Sequence, residues 1–294
     1  MPNGDKKTED EHFVPRMYLK GFSEIKKGKQ EKAFIWQFNT KTLQQMPEQV
    51  NVKDICFEKN LYELRNIDGT FIAQNRIENI FGKLEKNTSK VINSIKEKSQ
   101  NEKCLNCANI LSEDDKSYLI IFMTALMYRD PQTIELGIQT LQKSNPDMVM
   151  REARNYTLMN LLPLGVDTEW DENTLIRTAV TSLCGMAFQI GITDDDVIFT
   201  SDRPVILWPP DKYELYNRPK AVVFPLTSRL VLFLFPWEGV EPIGRNCFIK
   251  LDGERIKDIQ TNVAVYAREW VYSRHPLNEK EVEIIKEARR GFQN

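Results

Sequence analysis

The chain has 294 residues, 41% hydrophobic and 10% aromatic, which is long and apolar enough to bury a sizeable core. Its 40 Lys plus Arg are balanced by 42 Asp plus Glu, a formal net charge of -2; that balance excludes the strongly basic surface that coats duplex DNA, so no strong duplex binding is expected. No stretch approaches the roughly 20 apolar residues that span a bilayer, and the polar start Met1-Pro2-Asn3-Gly4-Asp5-Lys6-Lys7 lacks a signal peptide's apolar segment. The five cysteines, odd in number and set among apolar neighbours, suit reduced thiols, and a cytoplasmic protein with no membrane partner is expected.

In chain order, residues 1–10 are polar and expected as a disordered tail. Pro15 suits the first turn of a helix whose core-facing stripe is Phe13, Val14, Tyr18, Leu19 and Phe22. A basic run follows at Lys20, Lys26, Lys27, Lys29 and Lys32, and charge runs of this length most often face solvent. Residues 33–38 alternate apolar and polar, turn at Asn39-Thr40-Lys41 and return through 42–46, a β-hairpin pattern. Ile77, Ile80, Phe81, Leu84, Val91, Ile92 and Ile95 recur at helical spacing, and Ser112 with Asp115 forms a capping box ahead of an apolar helix at 118–127. A further helix stops at Asn145-Pro146, and helical stretches near 147–161 and 172–190 complete a helical middle.

The last third reads as strands at 197–199, 205–208, 221–224, 230–235 and 248–251, then helices near 253–267 and 279–291 with a strand at 269–273 between them. The expected architecture is α+β: one domain with a helical centre, an antiparallel or mixed sheet built mainly from the C-terminal third, and an N-terminal β-hairpin.

Candidate chemistry gathers at element ends. His12, one of two histidines, lies just before the proline-started helix, where a positive helix N-terminus favours the neutral imidazole of a base or ligand; packing beside that helix is the plainer reading. Asp202 follows a buried strand, Ser201 can bond nearby backbone, and Pro204 extends Arg203, so the carboxylate is either functional or the acceptor of an Asx-turn. Arg129 ends a nearly all-apolar helix and must find a partner: a ligand anion, or a carboxylate such as Asp202 or Asp130. Asn262 is a polar group in an apolar stretch that can position a ligand or bond the sheet's backbone. Cys104-Leu105-Asn106-Cys107 has metal-knuckle spacing without the second pair that zinc needs, so no stoichiometric zinc is expected, and no sequence feature names a cofactor.

Taken together, His12-x-x-Pro15-x-x-Tyr18-Leu19-x-x-Phe22, Tyr128-Arg129-Asp130-Pro131, Thr200-Ser201-Asp202-x-Pro204, Phe224-Pro225-Leu226-Thr227-Ser228, and Asn262 ahead of Val271-Tyr272-Ser273 resemble the ordered landmarks of the domain-of-unknown-function family 4238 over nearly the whole chain. The resemblance implies a single domain over 11–294 and carries no established activity. This chain has Glu11 where glutamine or histidine is usual, and Asp130 where a small hydroxyl residue is usual. The functional expectation is a hydrolase-like enzyme, a nuclease or phosphoesterase acting on nucleic acid or a small nucleotide. In it His12 is base or ligand, Asp202 its carboxylate partner and Arg129 an anion clamp, with Tyr18, Ser201 and Asn262 on the substrate. The alternative is a non-catalytic module that binds a ligand or protein in a cleft lined by Tyr18, Trp36 and Arg129, in a bacterial defence or toxin setting. The enzyme reading requires His12 and Asp202 to face one cleft.

Overall fold

Two large sheets, two two-stranded ones and a set of helices among the described residues enclose a continuous apolar core that runs from Phe13 to Ala288. The computed structural model describes residues 9–26, 32–72, 75–161, 175–208, 221–239 and 244–292. In chain order they form β1 (Asp10–His12), α1 (Arg16–Leu19), β2 (Glu24–Lys26), β3 (Lys32–Asn39), β4 (Gln44–Gln45), β5 (Val50–Asn51), β6 (Phe57–Lys59), β7 (Leu64–Arg65) and β8 (Phe71–Ile72). The helical middle is α2 (Arg76–Ser99), α3 (Glu102–Leu105), α4 (Glu113–Tyr128), α5 (Pro131–Ser144), α6 (Met150–Leu161) and α7 (Leu175–Cys184). The chain then runs through β9 (Met186–Ile192), β10 (Thr200–Ser201), β11 (Ile206–Trp208), β12 (Ala221–Thr227), β13 (Leu230–Pro236), β14 (Cys247–Lys250), α8 (Gly253–Tyr266), β15 (Trp270–Ser273) and α9 (Glu279–Phe292).

One sheet mixes the two ends of the chain. Its path is β10-β15-β3-β2, with β4 and β5 also paired to β3, so the late strand β15 lies between β3 and β10. The second sheet, β11-β12-β13-β9-β14, is antiparallel except where β14 runs parallel to β9. The α+β class is therefore as expected, including the hairpin of β3 with β4. The N-terminal helix is shorter than its apolar stripe suggests. Residues 16–19 are α-helical and Lys20–Phe22 tighten into a 3-10 turn.

The stretch expected as a helix at 172–190 is divided. Residues 172–174 lie outside the described residues, α7 ends at Cys184, and Met186–Ile192 form the strand β9 between β13 and β14. A strand in the middle of a sheet with both faces covered is apolar on both sides, so Met186-Ala187-Phe188 and Ile190 look the same in sequence as a buried helix. The strand expected at 197–199 begins later, at Thr200. Asp10 already belongs to β1, so ordered backbone starts inside the stretch expected to be a tail; residues 1–8 of that stretch lie outside the described residues, as do Lys27 and Lys29 of the basic run.

α4 shows why the centre is helical. Its N-terminus is closed by the reciprocal box: Asp115 N–H donates to Ser112 Oγ at 3.1 Å and Ser112 N–H to Asp115 Oδ2 at 3.0 Å. Beyond the cap, Leu119, Phe122, Met123, Ala125 and Leu126 are buried on several sides at once, so the helix is held by packing.

Tyr18 ties the N-terminal turn to the second sheet. Its ring stacks on Phe224 (5.3 Å between centroids, 9° between planes), and its hydroxyl donates to Pro225 O and meets Thr200 Oγ1, both at 2.7 Å. Ser228 N–H donates to Gly21 O at 3.0 Å, and a Cβ at Gly21 would stand 3.0 Å from Leu226 O, a close backbone approach that a glycine permits. Tyr18→Phe leaves two buried groups without their partner and is expected to lower the unfolding free energy by about 1–3 kcal/mol in urea titration.

Candidate functional site

Arg129 sits at the end of α4, 1% exposed, with its guanidinium over the Phe81 ring at 4.2 Å. Its donors reach three separate segments. Nη1 bonds Glu85 Oε1 at 2.9 Å, Nε bonds the Tyr62 hydroxyl at 3.3 Å, and Nη2 bonds the His12 carbonyl oxygen. Tyr62 in turn donates its hydroxyl to Arg129 O at 3.0 Å. The partner is thus neither Asp202 nor Asp130. Asp130 pairs with Arg203 at 2.8 Å and Arg268 at 3.6 Å.

Around this centre lies a polar cleft of about 380 Å³, lined by Glu9 just before β1, Asp10 and His12 from β1, Arg16 from α1, Lys53 and Asp54 from a 3-10 turn, and Glu78 and Glu85 from α2. Glu78 and Glu85 are seven residues apart, two turns of one helix face. Five carboxylates thus stand against two lining cations and the buried Arg129, which pairs with Glu85. Glu78 Oε2 is buried with no hydrogen-bond partner among the described residues, and burial raises the Glu78 pKa against the opposing pull of Arg129.

His12 lines this cleft at 9% exposure, beside the Phe57 ring. Burial, reinforced by Arg16 and Arg129, lowers its pKa to about 4, so the imidazole is neutral at pH 7. The neutral form follows from desolvation and two arginines. With Nε2–H donating to Lys53 O at 3.2 Å, Nδ1 keeps its lone pair.

Asp202 is placed differently. It is 2% exposed, and its two oxygens accept backbone N–H groups from Arg268 (2.8 Å, Oδ1), Glu269 (2.9 Å, Oδ2) and Trp270 (3.1 Å, Oδ2). Its own N–H donates to Trp270 O at 3.1 Å, so the carboxylate clasps the turn that leads into β15. Burial lifts its pKa above the ordinary carboxylate value against those three donors. Asp202 is not among the residues that line the His12 cleft.

The remaining candidates are dispersed. Tyr18 is buried at the sheet junction, and Ser201 closes its own turn, donating to Arg203 O at 2.8 Å and accepting from Arg203 N–H at 3.2 Å. Tyr18 and Ser201 share one neighbourhood through Thr200, His12 and Arg129 share another, and Asn262 lies in a separate groove between α8 and the second sheet. Trp36, half-buried on β3 opposite Ser273, lines neither the cleft nor the groove. Among the described residues no group of three or more His, Cys, Asp or Glu is arranged to hold a metal ion.

Sequence reading missed Glu11, Tyr62, Glu78 and Glu85. The signal available for the last two was their seven-residue spacing on a helix, but charged residues at that spacing usually face solvent. Glu11 is buried, accepts Tyr62 N–H at 2.7 Å, and has its pKa raised to about 7, by desolvation first and by Glu78 and Glu63 next.

Two outcomes follow from this geometry. An asparagine at 202 must turn its Nδ2 toward at least one backbone N–H, so Asp202→Asn is expected to lower stability by about 2–4 kcal/mol in chemical denaturation, beyond the ~1–2 kcal/mol of an ordinary lost turn bond. Glu11 holds its proton more tightly in the folded chain than in the unfolded one. Its contribution to stability is therefore full below about pH 4.5 and is lost as pH rises through about 7. Glu11→Gln keeps an acceptor for Tyr62, and should flatten that part of the pH dependence and exceed the wild type by about 1–2 kcal/mol at pH 8, read from denaturation midpoints across pH.

Comparison with known proteins agrees with the motif pattern. A family model described as a protein of unknown function (DUF4238) matches residues 11–276, which takes in both large sheets and, apart from Glu9 and Asp10, the residues that line the cleft. No curated protein and no solved structure matches the chain. The match covers nearly the whole chain, and the chain belongs to the DUF4238 family of proteins of unknown function.

Proposed function

We propose that the protein is a ligand-binding module whose site is the acidic cleft around His12, and that it takes a small organic cation such as an amine or a guanidinium compound. The observation that carries this reading is the charge of the lining: Glu9, Asp10, Asp54 and Glu78 stand against Arg16 and Lys53, with Glu85 already matched by the buried Arg129, beside an uncharged His12. A cleft lined by an excess of one charge draws counter-charged solutes and repels like-charged ones, so phosphoesters are poor candidates here. The groups expected to handle an anion are engaged elsewhere. Arg129 is buried against Glu85, Tyr62 and His12 O, and Asp202 is held by three backbone N–H groups.

A hydrolase reading keeps one supporting observation, the neutral imidazole whose Nδ1 carries a lone pair while Nε2–H is held by Lys53 O. On that reading His12 is the base and works with Glu78 or Glu85 in place of Asp202.

Calorimetric titration separates the two. Spermidine and arginine amide are expected to bind saturably, to weaken about tenfold or more in the Asp10→Asn, Asp54→Asn double variant, and to weaken with added salt. Inorganic phosphate and a dinucleotide are expected not to bind. Hydrolysis of a phosphoester that is abolished by His12→Ala in a folded protein would replace the binding-module reading with the enzymatic one.

A further inference from the structure

A second cavity, of about 430 Å³, lies between the second sheet and α8, and its lining differs in kind from the cleft. Its floor comes from Gln189 on β9, Ala221 and Val223 on β12, Phe233 and Phe235 on β13, and Ile249 on β14, with Trp208 on the edge strand β11. These residues share one face of the sheet. Val223 stands opposite Phe233, Phe233 opposite Gln189, and Trp208 opposite Ala221.

The row containing Trp208 sets the shape. Ala221 pairs with Trp208, and the next residue, Val222, pairs with Leu234, so Ala221 stands between Trp208 and Phe235. The backbones carrying the two aromatics are two strand spacings apart, about 9.5 Å. Stacked rings lie about 4.5–7 Å apart between centroids. One flat ring fits between them, over the methyl of Ala221, and two do not. The Phe235 wall is braced by Phe233, stacked on it at 5.9 Å and 16°. Phe233 can lie low over β9 because Gly191 has no side chain: a Cβ there would meet the Phe233 ring and Leu251 at 2.8 Å. Trp208 is 42% exposed, an unusual setting for the largest apolar side chain.

The roof supplies polar groups without net charge. Arg255, Asp258, Ile259 and Asn262 on α8 follow the spacing of one helix face, and Thr261 flanks them. The helix is pinned by other groups: Gln260 donates to Val197 O at 2.9 Å, and the Tyr266 hydroxyl bonds Leu207 O. Gln189 uses its Nε2 on Gly244 O at 2.7 Å, which leaves its Oε1 free to accept. Arg255 and Asp258 cancel in charge. Amide, hydroxyl and amide around a one-ring slot match the edge of an uncharged nitrogen heterocycle.

We propose that this groove is a binding site for a neutral, flat nitrogen heterocycle of the nucleobase kind, presented as a nucleoside. The ring stacks between Trp208 and Phe235, its hydrogen-bonding edge meets Asn262 and Gln189, and the sugar lies toward Thr261 and Asp258. The site is separate from the acidic cleft, shares no lining residue with it, and does not depend on the function proposed for it.

Adenosine, guanosine, cytidine and uridine are titrated into the full-length protein, with tryptophan fluorescence and calorimetry as readouts, up to about 1 mM. At least one is expected to bind saturably and quench part of the emission. Trp208→Ala and Asn262→Ala, both at partly exposed positions, should weaken that nucleoside about tenfold or more while unfolding at the wild-type denaturant midpoint, and Asp10→Asn should leave it unchanged. Absence of binding by all four overturns the proposal, as does binding that Trp208→Ala and Asn262→Ala leave intact. Binding of a nucleoside 5′-monophosphate that is about tenfold tighter than its nucleoside and lost in Arg255→Ala overturns the neutral-ligand assignment.

Discussion

A guanidinium removed from water has to be met by acceptors on every side, and at Arg129 those acceptors come from parts of the chain that are otherwise unrelated. The His12 carbonyl brings β1, Tyr62 brings the loop ahead of β7, and Glu85 brings the middle of α2, while Phe81 covers the plane of the group. No single neighbour neutralises the charge fully, because Glu85 is itself partly in contact with the cleft. The fold therefore brings a second carboxylate, Glu78, to Arg129 beside Glu85, and Glu11 and Glu63 lie next to Glu78 in turn. The negative cleft beside His12 is the outward face of this arrangement, and its charge is partly a by-product of keeping an arginine in the core.

The periodic parts of the structure were legible in the sequence because their signals are local. Ser112 and Asp115 announce the start of α4, and the spacing from Ile77 to Ile95 describes α2 closely. The strand β9 was not legible, since Phe188 and Ile190 are buried whichever regular structure they adopt, and only their pairing with β13 and β14 decides the matter. The candidate site was legible as positions and not as partners. His12, Arg129 and Asp202 each stood out by residue type and place, but the residues that give them meaning lie far along the chain: Lys53 for His12, Glu85 for Arg129, and Arg268 to Trp270 for Asp202. Only the tertiary fold makes those choices, and it pairs His12 with Arg129 through the main chain.

Two concave surfaces of opposite character result. The cleft is walled largely by acidic and basic side chains on short elements from the N-terminal third together with α2, whereas the groove rests on the second sheet and is roofed by a single helix. A sheet floor is rigid and sets distances between side chains through strand spacing, so it suits recognition by shape; a cleft of long charged side chains suits recognition by field.

The position of β15 carries a consequence for the life of the chain before it is folded. This strand is made after residue 269, yet it fills the gap between β3 and β10, and Asp202 waits for the N–H groups that precede it. During synthesis β3 leaves the ribosome more than two hundred residues ahead of its neighbour, with the edge that β15 will cover unpaired throughout. Loop closure over such a span is slow, and an open apolar edge invites pairing with other chains. The nascent protein is most exposed to aggregation in that interval, before the strand that completes the sheet has been made.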